Sequence, residues 1–109
     1  MTTDKQTSIN LALSTINGKW KLSLMDELFQ GTKRNGELMR ALDGITQRVL
    51  TDRLREMEKD GLVHRESFNE LPPRVEYTLT PEGYPLYDAL SSLCHWGETF
   101  AQKKARLNK

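Results

Sequence analysis

The sequence predicts a mainly α-helical fold with a small β-hairpin: a winged helix-turn-helix. Its expected parts are a three-helix core plus a wing, with N- and C-terminal helices for dimerisation. Three observations carry this. Between Arg34 and Tyr77, two short amphipathic segments flank Asp43-Gly44 and are followed directly by a strand–loop–strand pattern. Thr46 and Gly61 sit where the second helix would open and close. Both ends of the chain carry further apolar helical stretches. Helix, turn, helix and hairpin in that order is a plan that places one helix in a DNA major groove.

The elements follow in order. Ser8 precedes Ile9, Ala12, Leu13 and Ile16, whose helical spacing predicts a short amphipathic helix over 8–16 after a flexible arm, 1–7. Asn17-Gly18 is expected to break it. Trp20, Leu24 and Leu28 then mark one face of a second helix, with Leu22, Met25 and Phe29 on another, so this helix should be largely buried. Gly31 stops it.

A helix-turn-helix is expected over 35–61. Leu38, Met39 and Leu42 line one side of the supporting helix, and Gly44 supplies the positive φ of a tight turn. Thr46 is an N-cap, and Val49, Leu50, Leu54 and Met57 form the inward stripe of the next helix. Gly61 falls at the position after its end. The wing is expected over 62–79: Val63–Phe68 as one strand and the strictly alternating Val75–Leu79 as the other. Asn69-Glu70-Leu71-Pro72-Pro73 reads as the rigid tip. Thr80-Pro81-Glu82 looks like a helix start, opening an element over 81–103 with Leu86, Leu90, Leu93, Trp96 and Phe100 at helical spacing. The basic run Lys103–Lys109 is expected to fray.

A chain of 109 residues fits a single domain, 1–109. With 37% hydrophobic and 28% charged residues it reads as globular, and no apolar run approaches a spanning helix. The polar N-terminus is not a secretory signal, and the single cysteine, Cys94, fits a reducing compartment, so a cytoplasmic location without membrane association is expected. The net charge of +1 gives little support to nucleic-acid binding, which needs only a local basic surface.

The exposed positions at the start of the second helix are Gln47, Arg48 and Thr51. Gln pairs with adenine, Arg with guanine, and Thr with a base edge or a thymine methyl. These three are the expected base readers. Lys33 and Arg34, Thr46 at the helix N-terminus, Arg55, and Arg74 at the hairpin tip are the expected phosphate and wing contacts. Arg53 and Arg55 have Asp52, Glu56 and Glu58 as competing partners along the helix surface. The acidic end, Glu56 to Asp60, should point away from DNA.

The last helix also carries Tyr87, Ala89, Cys94 and Ala101, too broad an apolar surface for one neighbour. The expected partner is a second copy, with Ile9, Leu13, Leu86, Leu90, Leu93, Trp96 and Phe100 at the interface and a palindromic operator as the consequence. Cys94 reads as a small buried hydrophobe, with redox sensing as the alternative. Adjacent Cys94 and His95 point in different directions, so no metal is expected, and no cofactor or catalytic motif is visible. An enzyme is not expected. The competing reading is a winged-helix protein-interaction module with its DNA surface idle.

Several segments resemble one family. Ile16-Asn17-Gly18-Lys19-Trp20, Gly31-x-x-Arg34, Glu37-Leu38, Gly44-Ile45, Leu50-Thr51-x-Arg53-Leu54-Arg55, Asp60-Gly61-Leu62-Val63 and Pro72-Pro73-Arg74-Val75-Glu76-Tyr77-x-Leu79-Thr80 are similar to the HxlR-type bacterial transcriptional regulators, which are MarR-like. The resemblance runs from about residue 9 to Trp96-Gly97. It implies a winged-helix homodimer that represses or activates nearby genes on double-stranded DNA, dimerising through its terminal helices; a small-molecule effector stays an open partner. Two departures stand out. The resemblance implies a redox cysteine ahead of the first helix, but Lys5–Asn10 holds no thiol. It also implies Phe after Arg34, where this chain has Asn35, read here as an N-cap for the supporting helix.

Overall fold

The computed structural model describes residues 4–16 and 19–108. The elements run α1 (Lys5–Ile16), α2 (Lys21–Phe29), β1 (Lys33–Arg34), α3 (Asn35–Ala41), α4 (Gln47–Lys59), β2 (Val63–Phe68), β3 (Arg74–Leu79) and α5 (Gly83–Leu107). The expected break at Asn17-Gly18 lies outside the described residues, as do Met1–Thr3 of the N-terminal arm and Lys109.

One core organises the chain. Leu24, Met25 and Leu28 of α2, Leu38 of α3, and Leu50, Leu54 and Met57 of α4 are buried together with Leu62, Val63, Leu79 and Leu90. The expected inward stripe of α4 is therefore present, with Val49 half-buried at its edge. Leu42 and Ile45 bury the connection between α3 and α4, and Gly44 turns there at φ 89°. The Thr46 hydroxyl accepts from the Val49 N–H at 3.2 Å, which satisfies an orphan donor of the first turn. At the other end Gly61 adopts φ 77°. The Leu62 N–H reaches the Met57 carbonyl at 2.9 Å and the Gly61 N–H the Glu58 carbonyl at 3.0 Å, the two bonds of a Schellman ending.

The sheet has three strands, in the order β1-β3-β2, all antiparallel. Its third strand goes beyond the expected hairpin. Lys33 and Arg34, expected only as phosphate contacts, pair with Tyr77 and Glu76 on the free edge of β3. A two-residue strand leaves no periodicity to read. Asn35 is not a cap either. Arg34 takes the N-cap position in extended backbone, and its N–H is bonded by the Glu37 carboxylate at 2.9 Å.

Other boundaries move. α1 begins at Lys5 rather than at Ser8, because the Asp4 carboxylate accepts from the Thr7 N–H at 2.8 Å and caps the helix three residues earlier. Those backbone hydrogen bonds, Thr7 first, hold the Asp4 carboxyl below its ordinary value. α5 begins at Gly83 and runs to Leu107, so the basic run is helical as far as Leu107 where fraying was expected. Thr80 still caps: its hydroxyl donates to the Gly61 carbonyl at 2.6 Å and accepts from the Gly83 N–H at 3.2 Å. The start of α5 lies hard against the end of α4, and a Cβ on Gly83 would stand 2.6 Å from the Leu62 carbonyl oxygen. Only a residue without a side chain fits there.

Candidate DNA interface

α4 stands on the core with its first turns outward. Gln47 and Arg48 are exposed and Thr51 is half-buried. The Gln47 side-chain amide donates to the Thr51 hydroxyl at 3.0 Å, so two of the three expected readers hold one another in place. Arg48 and Arg55 are exposed and make no ion pair among the described residues. Arg53 has taken the pairing role that the sequence left open between Arg53 and Arg55: its guanidinium meets both Glu56 oxygens, at 3.0 and 2.8 Å. Thr46 lies exposed at the mouth of the helix, where the unpaired N–H groups favour an anion.

The wing differs more from expectation. Arg74, expected at the hairpin tip, opens β3, and its charge is already met. Glu70 lies 3.1 Å and Glu76 3.6 Å from its guanidinium, which stacks over the Phe68 ring at 4.1 Å. Its Nε is buried without a hydrogen bond. Arg34 sits beside the same Glu76 at 3.8 Å, and Lys33 is half-buried in β1. The exposed tip is instead apolar, with Leu71 97% exposed. An open groove of about 420 Å³ separates the wing from the start of α3, lined by Arg34, Gly36, Glu70, Pro73 and Arg74 among others.

Sequence reasoning missed two groups. Arg40 is exposed and lines a depression with Arg34, Gly36 and Glu37, adding a cation to the flank of α3. Its position one turn after Gly36 was the available signal. Lys21, a cation in a helix legible only by its apolar positions, is buried, and its ammonium lies 3.1 Å from Glu56.

The expected dimer residues split into two sets. Leu90, expected at the interface, is buried in the protomer's own core, and Leu86 is half-buried against that core. A single long helix can serve both sides, and spacing alone does not say which turn serves which. Leu93, Trp96 and Phe100 are 56, 61 and 46% exposed, with the Trp96 and Phe100 rings stacked at 4.8 Å. On α1, which buries no residue, Ile9 and Leu13 are 53 and 52% exposed. Cys94 is exposed, not buried as expected. Its thiol lies 3.4 Å from the Glu98 carboxylate, which pushes its pKa up and away from the reactive thiolate. Among the described residues no group of His, Cys, Asp and Glu is arranged to hold a metal. No described helix is long and apolar enough to cross a membrane.

A capped helix on a helix-turn-helix, braced by a three-stranded wing, defines a winged-helix regulator, and comparison with known proteins agrees. Residues 15–105 match the family described as HxlR-like helix-turn-helix, and the chain belongs to that family. It is 44% identical over 90 residues to the HTH-type transcriptional regulator YtcD of Bacillus subtilis, covering 83% of this chain and 71% of that one. A crystal structure from Enterococcus faecalis V583, assigned to the MarR family of transcriptional regulators, aligns at TM-score 0.86 with 99% identity over 97% of this chain and 96% of that one. The redox regulator HypR in its reduced form aligns at TM-score 0.78 with 43% identity, over 84% of this chain and 91% of that one. The protein is a transcriptional regulator with a helix-turn-helix domain, not an enzyme.

Proposed function

We propose that the protein regulates transcription as a homodimer that reads a palindromic operator through α4. The observation that carries this is the exposed first half of α4. There a satisfied N-cap, a mutually bonded Gln47–Thr51 pair and Arg48, a cation with no ion-pair partner among the described residues, share one end of a helix whose opposite face is locked in the core, and Arg55 follows two turns further along α4. Arg48, Gln47 and Thr51 read bases. Thr46, Arg55, Lys33 and Arg34 hold phosphates, with Arg40 beside them. Arg74 joins the phosphate contacts only by exchanging Glu70 for DNA, since both neighbouring carboxylates already meet its charge.

The second copy docks on α1 and the outer face of α5, through Ile9, Leu13, Leu93, Trp96 and Phe100. The exposed apolar side chains on both terminal helices support this, and twofold symmetry then places two α4 helices on one face of the duplex. Selection of duplexes from a random-sequence pool tests the reading. The expected product is an inverted repeat with half-sites about one or two helical turns apart. Enrichment of no sequence, or of a single direct element bound by one copy, would contradict it. A protein-docking role with no DNA contact is favoured only by the carboxylates that already meet Arg34 and Arg74.

A further inference from the structure

Lys21 is the buried charge that the reading of DNA leaves unused. Its side chain is 6% exposed, and its ammonium makes two contacts that join three helices. It donates to the Thr15 carbonyl at 3.2 Å, and it lies 3.1 Å from Glu56 Oε1 on α4. Thr15 falls in the last turn of α1, among the carbonyls that find no partner inside their own helix. Because α1 buries no residue and only its last residue, Ile16, packs against the core among the described residues, this bond is a polar anchor beside that one apolar contact.

An ion pair at this depth is a poor source of stability. The desolvation of the ammonium roughly offsets its attraction to the carboxylate, and an apolar side chain of similar shape would serve the core as well. Nor does Glu56 depend on Lys21, since Arg53 already bonds both of its oxygens. What the contact does supply is geometry: α4 is pinned at Glu56 to the end of α1. Glu56 lies nine residues along α4 from Gln47, ~14 Å at helical rise, so rotation at the pin is carried to the reading end by a rigid rod.

We infer that Lys21 is a positioning residue that fixes the angle between the dimerisation helix α1 and the reading helix α4. It thereby sets the spacing of the two reading helices. This rests on the homodimeric, DNA-reading function proposed above. In a dimer held through α1 and α5, the separation of the two α4 helices is set within each protomer, and the Lys21 ammonium links the end of α1 to α4. Removing that ammonium while keeping its stem should leave the dimer intact and blur its preference among operator spacings. A residue that merely stabilised the core would alter melting and leave spacing preference alone.

The test uses the full chain and the duplex that the wild-type protein selects from a random-sequence pool, together with versions whose central spacer is one base pair longer or shorter. For K21M we expect a folded dimer in sedimentation, roughly tenfold weaker binding to the selected duplex, and a smaller difference between native and altered spacers. K21R, which restores a donor and a charge, should recover the spacing preference. If K21M does not fold, E56Q takes its place, and the same loss of spacing discrimination is expected. A folded dimeric K21M or E56Q that keeps the wild-type affinity and spacing preference overturns the positioning role. A fall in affinity that is equal on every spacer and follows the melting temperature overturns it too. A wild-type chain that is monomeric, or that selects no duplex, overturns the underlying reading instead, and that is seen before any variant is made.

Discussion

Arg48 is the residue on which base reading turns. It is exposed beside the helix N-cap with no ion-pair partner among the described residues. Arg48→Ala should cost about 1–3 kcal/mol on the selected duplex and relax preference at one base position. A loss that is equal on all sequences would make it a phosphate contact. Gly83 tests packing rather than reading. With the Leu62 carbonyl 2.6 Å from a would-be Cβ, Gly83→Ala should lower stability by roughly 1–3 kcal/mol, measured by urea unfolding. Individual residues were unevenly legible. Thr46 and Gly61 were readable because caps depend on local backbone geometry. The states of Arg74, Leu90 and Lys21 depend on what other elements bring close. Arg74 is held by Glu70 across the wing turn and by Glu76 on its own strand. Lys21 owes its burial to α4 and the end of α1, more than thirty positions and six positions away along the chain.

Among elements, α4 was legible almost whole, because a thirteen-residue helix with a strong inward stripe and both caps in place leaves little freedom. Thr46→Ala removes its N-terminal bond and should cost about 1 kcal/mol of stability, read from the shift in the urea midpoint. α1 was found but mis-started, since the cap at Asp4 lies outside the apolar periodicity that located the helix. Its pH behaviour follows. The folded carboxyl titrates below its ordinary value, so its contribution is present above that value and is lost as pH falls through the depressed one. The Thr7 amide shift in NMR should therefore move at a pH below 3.8, where an uncapped Asp would titrate. A midpoint at or above that value would rule out the cap. β1 escaped notice because two residues carry no pattern, although they complete the sheet and bring Arg34 beside Glu76.

At the scale of the whole molecule, the order of elements was the most legible property, and the division of α5 between two jobs the least. Its buried Leu90 and exposed Leu93, Trp96 and Phe100 share one helical pattern, and only packing against the rest of the protomer's core separates them. Trp96→Ala should shift sedimentation from dimer toward monomer while leaving the fold intact; a full dimer at micromolar concentration would place the interface elsewhere. The central claim is that this near-neutral chain grips DNA through a local basic surface around α4. The most direct test is the affinity for the selected duplex as a function of salt concentration. Each phosphate that a cation neutralises adds about −0.9 to the slope of log affinity against log salt, so a dimer using four or five cations per protomer should show a slope of roughly −7 to −9. A slope near zero, or no binding at low salt, would contradict the claim and leave the winged helix as a docking module for another protein.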